Sequence, residues 1–357
     1  MKLSDDPAQQ TFMPVTAAAV AVEITPLPAA STAPARIEAL DWTKGALILC
    51  MVVYHAINYS AFRPLAFRYL AFLPPSFILI TGFLVGRVYA SKYDLNSSRP
   101  YVRLVERGAK LLLIFVLLNL LCFIARERSL LDGLGEFCDR AGMIFGYGNG
   151  RNAIFEVLLP IAYFLLLAPV LLWARWRFSS SALGLAGLVF LLCVTLDLQG
   201  GSIKNLVLLS AGIIGMGFGV LPMHRMNGLA GRWWPALAAY LVYRLTSYYF
   251  GERYPVQMFG ATTSVFLLYC CAVHCNLASW AGRQVILLGR YSLLGYLLQI
   301  LLLQVLVAVG GGKPTHWTGV LVLSASTALL LLLLVRGVQR LRKGNRLADL
   351  CYRSIFG

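Results

Sequence analysis

The amino-acid sequence predicts an all-α, polytopic membrane protein of about ten transmembrane helices with both termini in the cytoplasm. Three observations carry this. Of 357 residues, 59% are hydrophobic and 13% charged, a balance too apolar for an ordinary soluble domain. Apolar runs near bilayer length recur, at about 45–60, 69–89, 105–125, 153–173, 181–198, 204–221, 233–250, 257–275, 289–309 and 318–337. The basic residues collect on one side of the resulting serpentine.

Taken in order, residues 1–35 are rich in Ala, Pro and Thr, and Asp5 and Asp6 stand near the start. This segment reads as a disordered cytoplasmic tail. Its apolar stretch AAAVAV (17–22) is too short and too poorly flanked for a signal peptide. The transmembrane domain covers 36–337. Its first apolar run is short, so the first helix is expected to begin near Asp41. The longest outer loop, 126–152, mixes acid, base, aromatic and glycine; it caps a polar site, dips into the membrane, or is an ordinary surface loop. Residues 338–357 form a basic, partly amphipathic tail expected on the inner membrane surface.

Placing the termini and even-numbered loops on one side gives that side 21 of the 31 Lys and Arg. They include Lys44, six from Arg87 to Lys110 and six from Arg336 to Arg353. The other side has nine, among them Arg63, Arg68, Arg151 and Lys204, and Arg244 falls inside a span. By the positive-inside rule the richer side is cytoplasmic. Much of the +16 net charge is thus a topology signal and an attraction to anionic lipid. Nucleic acid is not an expected partner, because no basic run is interleaved with aromatics on a soluble domain.

Several chemistries lose support from missing motifs. There is no GxxxxGK followed by Ser or Thr, no GxGxxG opening a strand–helix unit, no HExxH and no GxSxG elbow. The eight cysteines lie mostly in apolar runs and make no disulfide framework, although Cys122 and Cys138 could meet outside. Cys270, Cys271, His274 and Cys275 share an inner span end, where metal ligation is geometrically open; small-residue packing is the favoured reading and no metal is assigned. The glycines of AGIIGMGFG (211–219) read as close helix packing.

Ionisable groups within spans are expensive and point to function. Lys44 and His55 are eleven residues apart, about three turns, so they share a stripe of one helix about 16 Å apart. That suggests an anion-binding group at one face and acid/base chemistry deeper in. Asn58 and Tyr59 follow His55 on the same face. Arg244, Asn119, Glu156, Asp197, Asn205, Thr262 and Thr263 fall at a similar depth. They predict one polar cavity opening outward, with Arg244 paired to Glu156 or Glu252; a snorkelling arginine is the plainer alternative. On the inner side stand Arg36, Asp41, Lys44, Arg103, Arg107 and Lys110, which hold phosphates or merely fix topology. Asp41 is placed to pair with Lys44. Gln299, near mid-span, reads as helix–helix glue.

RIEALDWTKG followed by MVVYH resembles the first span of integral-membrane acyltransferases of the acyltransferase-3 type. Those carry an arginine, ten residues, then a histidine; here Lys44 stands at the arginine. FILITGFLVG (77–86) is similar to their second span. LGRYSLLGYLLQI (288–300) resembles a late span that often has histidine where Gln299 stands. FEVLLPIAYFLLLAP (155–169) resembles a region of the glucan-succinylating and heparan-glucosaminide acetyltransferase branches.

The resemblance implies a membrane acyltransferase that moves an acyl group from a cytoplasmic acyl-CoA-type donor to a hydroxyl of an extracytoplasmic glycan or glycolipid. No cofactor beyond that co-substrate is implied, and a bacterial inner membrane is the expected location. His55 becomes the catalytic general base or acyl carrier. Lys44, Arg36, Asp41, Arg103 and Arg107 become donor-binding candidates, and Arg244, Glu156, Asn119, Asn58 and Tyr59 acceptor-binding candidates. Lysine is a point charge rather than a planar fork, so bidentate phosphate recognition at position 44 is not expected. The alternative is a transporter or flippase for an amphiphilic or sugar substrate, whose sign would be repeats with matched broken helices.

Overall fold

The computed structural model describes residues 37–89, 97–148, 154–177, 181–201 and 203–356. The N-terminal tail and Arg36 lie outside them. All the regular structure among the described residues is helical. In chain order the helices are α1 (Glu38–Asn58), α2 (Arg63–Leu70), α3 (Leu73–Leu84, continued by a π-helical turn Val85–Tyr89), α4 (Arg99–Glu127), α5 (Leu130–Ala141, with a π-helical turn Gly142–Tyr147), α6 (Leu158–Arg177), α7 (Ser181–Leu198) and α8 (Lys204–Gly219). They continue as α9 (Met223–Ala230), α10 (Trp233–Phe250), α11 (Tyr254–His274), α12 (Trp280–Arg290), α13 (Ser292–Val309), α14 (Trp317–Gly344) and α15 (Arg346–Phe356).

Seven helices are long and apolar enough to cross a membrane, or eight if α8 and α9, bent by 100°, form one broken span. The sequence expectation of ten is therefore met only in part, although every one of the ten apolar runs has become helix. α7 has a short apolar stretch, Gly184–Leu198. α10 carries Trp233, Trp234, four tyrosines and Arg244, which dilute its apolar character. Break points follow local chemistry: Pro222 precedes α9, and α12 gives way to α13 at Tyr291.

Leu113, Leu117 and Leu121 of α4 are exposed at four-residue spacing, as are Leu329 and Leu333 of α14. Such apolar stripes are a liability in water and fit contact with lipid. The inward faces pack through glycine at two crossings. A Cβ on Gly82 would overlap the Gly212 carbonyl oxygen, and one on Gly215 the Leu79 carbonyl oxygen, so α3 and α8 touch backbone to backbone. The same holds for Gly45 against Val285 and Gly289 against the Asp41 carbonyl, joining α1 to α12. The packing reading of AGIIGMGFG is borne out.

Two segments took more order than expected. The 126–152 segment carries an amphipathic helix, α5, whose Ser129 side chain accepts from the Asp132 amide; Phe137 and, in the following turn, Ile144 are buried. The tail is helix too. Asp349 of α15 accepts from Arg342 at 2.6 and 2.9 Å, and those bonds hold its carboxyl below the usual carboxylate range. The Tyr352 ring covers the same guanidinium at 3.9 Å. Leu347, Leu350 and Ile355 stay exposed, as a helix lying on a membrane surface requires.

Topology is checked by reporter fusions at the 126–152 loop and at residue 357, which are expected to lie on opposite sides of the membrane. One side for both would overturn the inner and outer assignments used below.

Candidate functional site

The site is built on α1. Its N-terminal half carries an acid–base network. Lys44 Nζ lies 2.7 Å from Asp41 Oδ1, the pairing that their spacing predicts. Arg290 of α12 approaches Asp41 at 3.7 Å and Glu38 at 3.5 Å. Asp41 is buried, so the two cations offset the cost of removing a carboxylate from water. Beyond Asp41, Lys44 lines a cavity of about 180 Å³ together with Thr81, Ser292 and Tyr296. Leu111 of α4 lines it as well. Arg107 and Arg103 lie one and two turns before Leu111, outside the cavity wall, and Arg107 donates to the Tyr89 hydroxyl at 3.2 Å. Around the same half of α1, Leu40 and Thr43 border a second, apolar cavity of about 230 Å³, lined also by Phe83, Phe218 and Tyr269.

Three turns further along α1 sits His55. Its Nε2 is buried with no hydrogen-bond partner, and so is Asn58 Oδ1 on the same helix face. The imidazole meets the Tyr54 ring edge-on at 5.0 Å. Tyr59 accepts from Gln304 of α13 at 3.2 Å. This bond, with Gly295 facing Ile48, fixes the level of α13 against α1. Gln299 lies between those two contacts, within about one turn of His55 along the axis. It is fully buried, and neither its Oε1 nor its Nε2 has a partner. A helix-gluing amide would be bonded across the interface; this one is not, so the reading from sequence is corrected. Unpaired polar groups at this depth cost free energy. The imidazole and the amide are thus both left without partners at about one level of the bundle.

The expected outer cavity is not assembled as predicted. Glu156 pairs with Lys204, not with Arg244. Glu252 accepts instead from the hydroxyls of Tyr243 and Ser247. Arg244 donates to the Arg68 carbonyl at 3.4 Å and lies over Tyr69 and Tyr243 at 5.0 and 5.4 Å. Its charge is met by aromatic faces and backbone, because α2 folds beside α10. Asn119 is occupied at both ends of its amide, donating to the Ile154 carbonyl at 2.9 Å and accepting from its N–H at 2.7 Å. Asn205 donates to the Phe145 carbonyl at 2.9 Å. Asp197 accepts from the Tyr254 amide at 3.2 Å. These groups satisfy loop backbone and helix starts. Asn119 thereby positions the entry to α6, where Phe155 and Glu156 stand, rather than facing an open cavity.

His274 Nδ1 lies 2.9 Å from the Cys270 carbonyl, and all eight cysteines are unpaired. Among the described residues no group of three or more His, Cys, Asp or Glu is placed to hold a metal ion. No protein-family model, curated protein or solved structure matches this chain.

Proposed function

We propose that the protein is a ten-span membrane acyltransferase, both termini cytoplasmic, of a bacterial inner membrane. It moves an acyl group from a cytoplasmic acyl-CoA-type donor to a hydroxyl of an extracytoplasmic glycan or glycolipid. The observation that carries this reading is His55, an imidazole held inside the bundle with Nε2 buried and unpartnered. In its neutral form that nitrogen takes the proton of the acceptor hydroxyl while the oxygen attacks the thioester carbonyl. The C–S bond then breaks, the proton passes to the leaving thiolate, and the ester remains on the acceptor. The same nitrogen is equally suited to carry the acyl group in a two-step transfer. Asn58 and Gln299 would orient the reacting groups, and the apolar cavity suits the uncharged part of a donor. Tyr59, one turn beyond His55 and bonded to Gln304, would stand on the acceptor's side of the imidazole.

Lys44 belongs to donor binding rather than chemistry, since about 16 Å of helix separates it from His55. Lys44→Ala is expected to weaken acyl-CoA binding by about tenfold or more, the loss of one charge-assisted contact, and Lys44→Arg to retain it. Calorimetric titration of purified protein with acyl-CoA checks this. Unchanged donor affinity in a folded Lys44→Ala variant would remove the role.

A transporter or flippase is the second reading. The 100° bend between α8 and α9 favours it, because broken helices line transporter sites. Such a protein would move its substrate without altering it.

A further inference from the structure

A polar cleft of about 580 Å³ opens beside α12, away from His55. Its walls carry Arg283 and Arg290 of α12, Arg336 and Arg340 of α14, Gln284 and Glu38. Arg283 and Arg290 are two turns apart, and Arg336 and Arg340 one turn apart, so each pair lies on one helix face. Two short arginine ladders thus face each other across one concavity. Arg336 Nε donates to Gln284 Oε1 at 2.8 Å, which ties the walls together. Arg290 alone has acidic neighbours, Glu38 and Asp41. Arg283, Arg336 and Arg340 form no ion pair among the described residues.

The positive-inside rule explains arginine at this end of the helices. It does not explain convergence, because arginines dispersed around the rim would set topology equally well. Three uncompensated guanidiniums around one cleft repel one another, and an anion between them relieves that repulsion. Guanidinium forks match phosphate oxygens in pairs. The Arg336 guanidinium lies 5.3 Å over Trp280, which is 65% exposed, as an aromatic at headgroup level is. The volume is that of a small-ligand site, about 300–1,000 Å³, and exceeds what one phosphate needs.

We infer that this cleft binds a ligand carrying two or more phosphate groups at the membrane surface on the basic side. Arg283, Arg336 and Arg340, on which the binding rests, lie outside the Asp41–Lys44 network. Two sources share that chemistry, the headgroup of a two-phosphate anionic lipid and a free diphosphate.

The test uses full-length protein in phosphatidylcholine nanodiscs. One arm titrates a cardiolipin-type lipid, read by native mass spectrometry; the other titrates inorganic pyrophosphate, read by calorimetry. The double variant Arg283→Gln, Arg340→Gln should weaken binding by about tenfold or more, while Arg283→Lys, Arg340→Lys keeps part of it. Among the described residues neither side chain has a partner, so the thermal midpoint should stay near that of the wild type. Lipid binding that excess pyrophosphate does not displace assigns the lipid source. Pyrophosphate binding that displaces the lipid assigns the free one. Failure of the wild type to bind either probe, or binding that the Gln variant leaves unchanged, would overturn the inference.

Discussion

His55→Gln is expected to abolish acyl transfer while leaving a folded protein that still binds its donor. Removing a general base typically costs about 10²–10⁴ in rate, and a covalent carrier would cost more. The structural cost should be small by comparison. Nε2 makes no hydrogen bond that the substitution could break, and glutamine fills a similar volume with a polar end. The fall should therefore appear in kcat and leave donor affinity near the wild-type value, because Lys44 and the inner cavity lie three turns away. Transfer kinetics on purified variants, with thermal unfolding alongside, read both quantities. A stable His55→Gln protein with near-normal transfer would leave His55 a packing residue and strengthen the transporter reading.

Gly215→Leu should be severely damaging to the fold. The new Cβ would meet the Leu79 carbonyl, a backbone atom of the neighbouring helix, and no rotamer relieves that overlap. α3 and α8 would have to separate. Overpacking costs about 1–3 kcal/mol where side chains can adjust, and more where they cannot. Gly228→Ala is the matched control: open space surrounds that position, so a change within about 0.5 kcal/mol is expected. Thermal unfolding in detergent separates the two. Equal midpoints for Gly215→Leu and the wild type would refute the backbone-contact account of this interface.

What was legible in the sequence is what depends on neighbours along the chain. Every apolar run became helix, since length and hydrophobicity decide that in a bilayer. The Asp41–Lys44 pair followed from i, i+3 spacing, and the glycine run followed from the absence of side chains. Ser129 with Asp132 carried a capping signal for α5 that the long-loop reading passed over. Partnership between distant elements was not legible. Lys204 lies far along the chain from Glu156, and Arg68 far from Arg244, so depth alone could not tell which charge meets which group. Asn119 and Gln299 show the same limit in opposite directions. Both are buried amides within helices, yet one is clamped to Ile154 and the other is left open beside α1. Only the positions of the neighbouring helices distinguish them.

An acyltransferase forms a new ester, whereas a transporter moves its solute unchanged. The most direct measurement incubates purified full-length protein in proteoliposomes with radiolabelled acyl-CoA and a glycan or glycolipid acceptor, wild type beside His55→Gln. Label bound covalently to an acceptor hydroxyl, released by mild base and absent from the variant, is the expected result. Passage of unlabelled, chemically unchanged acceptor across the membrane, with no labelled product, would contradict it.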